Sequence, residues 1–134
     1  MYPRFCAFAV ALLVALAATA CSGLVEPSKN QVETFTHTVQ PGFGNSAKDS
    51  FNVSKSGEIS ITVTRMDPPV NVYFSVLYYQ LAGCNGPLLQ ENDFAVVGRA
   101  VVSGPIQPGA YCVAVIDQGS FTAPETYTIS VSHP

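Results

Sequence analysis

The chain of 134 residues is 48% hydrophobic and 11% charged, with a formal net charge of −3. This composition is typical of a folded domain and excludes a largely disordered chain. Its six basic residues are scattered rather than clustered, so we expect no nucleic-acid partner. They are Arg4, Lys29, Lys48, Lys55, Arg65 and Arg99.

The first twenty residues have the pattern of a signal peptide. Arg4 supplies a minimal positive charge, and an apolar, Ala-rich run follows over residues 5–16. The run is shorter than the roughly 20 residues that span a bilayer, and small residues follow it. The pattern predicts a signal helix over residues 1–20 that is cleaved on export, with a permanent transmembrane helix as the alternative.

The segment Ala18-Thr19-Ala20-Cys21 resembles a bacterial lipobox, in which small residues precede a cysteine that receives diacylglycerol. It departs from the commonest lipobox in having Ala18 where Leu is usual. The resemblance implies a protein lipid-anchored through Cys21 in the bacterial envelope, at the outer membrane or the periplasmic face. Plain secretion is the alternative, because Ala18-Thr19-Ala20 also suits an ordinary signal peptidase.

The cysteines indicate one disulfide. Of the four, Cys6 lies in the predicted signal peptide, and a lipid on Cys21 leaves Cys84 and Cys112. This even pair suits an oxidising compartment, whereas an unmodified Cys21 would leave an odd thiol there. We therefore expect a Cys84–Cys112 disulfide. We expect no metal or other cofactor, because zinc needs several closely spaced Cys or His ligands.

Residues 21–30 lack periodicity and are predicted to form a tether, and from Gln31 the chain alternates apolar and polar residues. The clearest period-2 runs lie at residues 58–64 and 70–76 and around Tyr111 and Tyr127. Weaker strands are expected at residues 32–39, 49–53, 94–97 and 99–102. Seven or eight short strands separated by Gly and Pro turns predict an all-β domain, an antiparallel β-sandwich.

Several of these segments follow the order found in bacterial pre-peptidase C-terminal (PPC-like) domains. The matching segments are residues 49–53, 57–63, 70–74, 108–115 and 127–131. The most specific piece is Pro108-Gly109-Ala110-Tyr111. The resemblance implies a jelly-roll-like sandwich over residues 31–134 with an accessory or binding role. Some sandwiches bind calcium through acidic residues before the middle strand, but that region here offers Asp67, two prolines and Asn71, and we expect no calcium site.

No catalytic arrangement stands out in the sequence. The two histidines are His37, interpreted as a surface strand residue, and His133, which stands beside the last residue, where fraying is expected. A Gly-x-Ser-x-Gly motif is absent, and nine acidic residues permit carboxylate pairs by chance. We therefore predict a non-catalytic binding or structural module. The alternative is a secreted hydrolase, or an accessory domain of a secreted protease system, with an unrecognised site.

The strand that begins at Val70 is apolar on both faces. One face is assigned to the core, and the opposite face carries Tyr73, Leu77 and Tyr79, which are too apolar for a simple solvated surface. In one interpretation residues 80–93 fold over this second face and bury it. In the other, Tyr73, Leu77 and Tyr79 stay open as a binding surface for a glycan or an envelope protein.

Overall fold

Eight strands lie in the ranges that the computed structural model describes, residues 29–69 and 74–134. They are β1 (Gln31–Val39), β2 (Ser46–Val53), β3 (Gly57–Asp67), β4 (Phe74–Gln80), β5 (Leu88–Asn92), β6 (Ala100–Ile106), β7 (Gly109–Asp117) and β8 (Glu125–His133). One sheet has the order β1-β8-β3-β6 and the other β2-β7-β4-β5, with every pair antiparallel. The predicted all-β antiparallel sandwich is confirmed.

The predicted signal helix, Cys21 and most of the predicted tether lie outside the described residues. Residues 70–73, including Tyr73, also lie outside them. Within the described ranges, no helix is both long enough and apolar enough to cross a membrane.

The core lies between the inward faces of the two sheets. On β3, Ile59, Ile61 and Val63 alternate with more exposed residues and are at most 3% exposed. The same alternation on β8 buries Tyr127, Ile129 and Val131. Each fully buried side chain of this size contributes about 1.5–3 kcal/mol to folding. The period-2 pattern therefore determines which residues lie in the core.

One predicted strand is wrong, and one strand of the structure was not predicted. Residues 94–97 were expected to form a strand, but they lie in the turn between β5 and β6, where Ala95 alone of the four is buried. The chain instead forms β5 at Leu88–Asn92, which was not predicted. Four of its five residues are exposed, so its sequence lacks the alternation of a half-buried strand. Its membership of the sheet depends on pairing with β4.

The predicted Cys84–Cys112 disulfide is present and joins the loop between β4 and β5 to the middle of β7. The loop contains a 3₁₀ turn, Ala82–Cys84, which lies against the outer face of the second sheet: the Gly83 N–H donates to Ser50 Oγ at 2.8 Å. A Cβ on Gly86 would lie 1.8 Å from the Gln80 carbonyl oxygen, so a glycine is required there. Because the bond spans 28 residues, it contributes roughly 3–4 kcal/mol in the chain-entropy model.

The fully buried carboxylate of Asp117 organises two loops at one end of the sandwich. One oxygen accepts the N–H of Gly42 at 2.8 Å, and the other accepts those of Gly119, Ser120 and Phe121 at 2.8–3.1 Å. Burial alone would raise the pKa of Asp117, but these four donors together hold it below its ordinary value. The carboxylate therefore stays ionised and keeps the loop donors paired.

Glu125, at the start of β8, is buried without such donors. It is 2% exposed, and its Oε2 has no hydrogen-bond partner. Burial, and secondarily the charge of Asp67, raise the pKa of Glu125 above its ordinary 4.5. Since the folded state holds this proton more tightly than the unfolded state, the stabilisation is fully present below pH 4.5 and is lost as the pH rises through the raised value.

We expect Glu125→Gln to remove this pH dependence, because the amide is nearly isosteric and does not ionise. Thermal unfolding of both proteins from pH 4 to 9 should give midpoints that agree at the acid end. They should separate as the pH rises, with the variant the more stable. Asp117 is unchanged in both proteins, so its own acid-side loss cancels in the difference. Two midpoint curves that stay parallel over the whole range would contradict this account.

Candidate binding cleft between the sheets

A glycine leaves a gap between the two sheets. The register of β6 against β3 directs Val102, Gly104 and Ile106 inward, and Gly104 lies opposite the buried Ile59. A Cβ on Gly104 would meet no heavy atom within 4 Å, so the space beside it is open. The missing side chain therefore interrupts the core at the edge of the sandwich.

At this gap, a cleft of about 360 Å³ opens between the edge strands β5 and β6. Its floor contains Tyr78, Tyr111 and Ile106, and the amide residues Gln80 and Gln90 line it. Gln107 also borders the cleft, but its Oε1 accepts a hydrogen bond from Ser56 Oγ at 2.7 Å. At the other end of the two strands, Asn92 Nδ2 donates to the Val101 carbonyl oxygen at 3.3 Å and joins the sheets. No charged side chain lines this β5–β6 cleft. Its chemistry suits a neutral ligand that forms hydrogen bonds.

The hydroxyl of Tyr78 is available to such a ligand. The Tyr111 hydroxyl donates to the Gln107 carbonyl oxygen at 2.8 Å, but the Tyr78 hydroxyl makes no hydrogen bond to any residue of the described ranges. Tyr78 is 5% exposed, and burial, followed by the influence of Tyr111, raises its pKa. The phenol therefore remains neutral at physiological pH and can both donate and accept.

A second pocket of about 330 Å³ adjoins the cleft and shares Ile59, Ser103 and Gly104 with it. Asn30 forms part of its wall, where its Nδ2 donates to the Glu58 carbonyl oxygen at 3.0 Å and to Ser132 Oγ at 3.2 Å. Asn30 directly precedes β1. The chain therefore enters the sandwich beside the cleft.

The other side of the sandwich, between β1 and β2, carries a His–Asp–Tyr cluster. His37 Nε2 lies 2.6 Å from Asp49 Oδ1, and the Tyr127 hydroxyl donates to Asp49 Oδ2 at 3.1 Å. The side chain of His37 is 48% exposed, whereas those of Asp49 and Tyr127 are buried. Asp49 belongs to the second sheet and thus bonds two residues of the first sheet. His37 is an exposed strand residue, as the sequence suggested, but it has a buried partner that the sequence did not reveal.

The contact between His37 and Asp49 was missed because the two residues are not adjacent in sequence. The usable signal was the alternation along β1, which places Glu33, Phe35, His37 and Val39 on the inward face opposite buried residues of β8. In a serine hydrolase the histidine also bonds a nucleophile. Within the described residues no hydroxyl or thiol forms a hydrogen bond with His37. In this part of the chain the cluster joins β1 to β2.

His133 is also placed differently from expectation. It is 1% exposed rather than frayed, and its Nε2 lies 2.8 Å from Glu33 Oε1. Its ring stacks on Phe51 with centroids 5.4 Å apart. Within the described ranges, no group of three or more His, Cys, Asp or Glu side chains is arranged to hold a metal ion.

The surface predicted around Tyr73, Leu77 and Tyr79 is largely covered. Leu77 is 8% exposed and Tyr79 is half-buried; Tyr73 lies outside the described residues. On the same face Ser75 is fully buried and donates to Asp93 at 2.5 Å. Leu77 therefore cannot contribute to an open surface. The burial of Leu77 agrees with the interpretation in which this face is covered. The loop at residues 81–87 is tied to the same sheet by the disulfide and by the Gly83 N–H bond to Ser50, whereas Leu88–Asn92 extends the sheet as β5.

No protein-family model and no curated protein matches this chain. Among solved structures, the chain is similar to the mitogen derived from Yersinia pseudotuberculosis, with a TM-score of 0.54 and 12% sequence identity. The match covers 78% of this chain and 87% of the mitogen. At this identity the likeness shows the fold alone.

We expect His37→Ala to destabilise the protein by about 1–3 kcal/mol, because it leaves the buried Asp49 carboxylate with one hydrogen bond fewer. Asp49→Ala should have a similar effect, since it leaves the buried Tyr127 hydroxyl unpaired. Thr34→Ala is the control, because Thr34 is exposed on the same strand and, unlike Thr36, makes no side-chain hydrogen bond within the described ranges. Urea unfolding gives the three values. If His37→Ala costs no more than Thr34→Ala, the cluster does not hold β1 to β2.

Proposed function

We propose that this protein is a non-catalytic binding module of the bacterial envelope, anchored through a lipid on Cys21, which takes a neutral, hydrogen-bonding ligand in the β5–β6 cleft. The observation that carries the proposal is the composition of the cleft. An unpartnered Tyr78 hydroxyl and the amides of Gln80 and Gln90 line an uncharged space of about 360 Å³. A few polar groups in a largely apolar concavity are the usual features of a ligand site.

The disulfide and the point where the chain enters the fold support export and anchoring. A disulfide persists in oxidising compartments such as the periplasm and is rare in the cytosol. Asn30, at the edge of the cleft, lies nine residues after Cys21. An extended segment of this length reaches roughly 30 Å. With a lipid on Cys21, the cleft would stay close to the membrane, so its ligand belongs to the adjacent envelope.

A secreted hydrolase remains the second candidate, and the His37–Asp49 pair is the observation in its favour. A buried carboxylate that orients a half-exposed imidazole is the base component of a catalytic triad. Among the described residues, however, no hydroxyl or thiol bonds His37 as a nucleophile would. The pair is also on the opposite side of the sandwich from the β5–β6 cleft, because β1 and β2 form the other pair of edges. The binding module is therefore the better supported function.

Binding in the cleft is tested by titrating the purified full chain with two neutral probe classes, octapeptides and hexasaccharides of N-acetylglucosamine, while the glutamine side-chain amides are followed by NMR. A binding probe should shift the signals of Gln80 and Gln90. The double variant Gln80→Ala, Gln90→Ala should weaken its binding about tenfold or more, because each lost hydrogen bond contributes about 0.5–1.5 kcal/mol.

Gln31→Ala is the matched control, because Gln31 is an exposed strand glutamine outside the cleft, and it should bind as the unmodified chain does. The proposal fails if neither probe class shifts the amides of Gln80 and Gln90. It also fails if the double variant and the control bind equally well.

We expect mass spectrometry of protein purified from bacterial membranes to find Cys21 as the N-terminal residue, carrying diacylglycerol. A Cys21→Ser variant cannot form the thioether and should leave the membrane fraction. An unmodified N-terminus at any other residue would contradict the anchor without affecting the cleft.

A further inference from the structure

β5 presents a free strand edge along the wall of the cleft. In the described chain β5 pairs with β4 alone, so the backbone groups on its other side have no strand partner. It contains no proline or lysine, and its one charged residue, Glu91, lies opposite Leu77 on the outer face and does not line the cleft. Residues 88–91 are all exposed. On β6, which faces β5 across the cleft, Pro105 has no N–H to donate. The edge of β6 is therefore less suited than that of β5 to pair with an added strand.

We propose that the ligand of the cleft is an extended, neutral peptide that adds as a further strand to the free edge of β5. The inference rests on the proposed function, since it names the ligand class of the same cleft. Main-chain hydrogen bonds to β5 would provide affinity, and alternate side chains of the peptide would enter the cleft. β5 has five residues, so the paired segment spans about 16 Å.

The packing of the tyrosines favours a peptide over a sugar. Sugar rings are bound by lying flat on exposed aromatic faces, but Tyr78 and Tyr111 stack on each other with centroids 5.5 Å apart, and each is 5% exposed. Phe51 stacks on both rings, at 6.4 and 5.9 Å. Their faces are therefore occupied, and what the cleft offers is a hydroxyl and amides. Amide side chains match the alternating donors and acceptors of a peptide backbone.

The surroundings of β5 also indicate the character of the peptide. The cleft lining contains no charged side chain, so a charged residue entering it would lose its hydration without gaining a partner. Leu88 and Leu89 are 45% and 49% exposed and provide apolar contact beside the edge. Small apolar and hydroxyl side chains at alternate positions therefore fit best.

The test uses octapeptides selected against the purified full chain from a phage-displayed library of uncharged residues. The best binder is resynthesised twice, N-methylated at its odd or at its even amides. In strand addition only every second amide of the peptide faces β5. One methylated set should therefore lose at least tenfold in affinity, while the other binds nearly as the parent does. Hydrogen exchange at the backbone amides of β5 should slow when the parent peptide binds.

Several outcomes would overturn the inference. If both methylated sets bind alike, the peptide does not pair with β5. If the N-acetylglucosamine hexasaccharide shifts Gln80 and Gln90 and no peptide does, the ligand is a glycan and the proposed function stands without the inference. If sedimentation shows a dimer whose β5 amides are protected without peptide, the edge is occupied by a second copy. If neither probe class reaches the cleft, the proposed function fails as well.

Discussion

A two-sheet sandwich has four strand edges whose backbone groups need either partners or water, and this constraint explains where the present fold is closed and where it is open. β1 and β2 form one pair of edges, and the buried Asp49 joins them by bonding His37 on β1 and Tyr127 on the neighbouring β8. β5 and β6 form the other pair, joined at one end through Asn92. Where they are not joined, Gly104 provides no side chain to fill the space, and the cleft results.

A row of aromatic rings connects the two sides of the sandwich. His133, which bonds Glu33 of β1, stacks on Phe51 of β2; Phe51 stacks on Tyr111, and Tyr111 on Tyr78 in the cleft floor, with successive centroids 5.4–5.9 Å apart. Such stacked pairs contribute about 0.5–1.5 kcal/mol beyond the area that they bury. The floor of the cleft is thus an exposed edge of the core rather than a separate structure. This explains why its hydroxyl is available but its ring faces are not.

The features that could be predicted from the sequence are those that depend on the alternation of residues along a strand or on the even number of remaining cysteines. The alternation at Ile59, Ile61 and Val63 identified the core face of β3, and the even number of remaining thiols identified the Cys84–Cys112 bond. β5 could not be found in this way, because an exposed edge strand has no buried face and its sequence does not alternate.

The candidate site was missed for a related reason. The cleft results from the absence of a side chain at Gly104, which lies opposite Ile59 on the neighbouring strand. The pattern along one strand does not show which residue of another strand lies opposite it. The pairing of His37 with Asp49 likewise depends on β1 and β2 belonging to different sheets. The apolar outer face of β4 allowed two interpretations, and the burial of Leu77 favours the covered one.

The loop between β4 and β5 links the fold to the proposed recognition of a strand. Leu81 and Cys84 both have positive φ, 75° and 56°, conformations that non-glycine residues adopt only when their surroundings require them. The requirement comes from the disulfide, from the Leu81 N–H bond to the Ala110 carbonyl oxygen at 2.8 Å, and from the close approach at Gly86. This loop leads directly into β5, so the disulfide and the Leu81 bond hold the start of the strand edge against β7. An edge held in this way loses less of its own backbone entropy on binding, which leaves more of the hydrogen-bond energy for affinity.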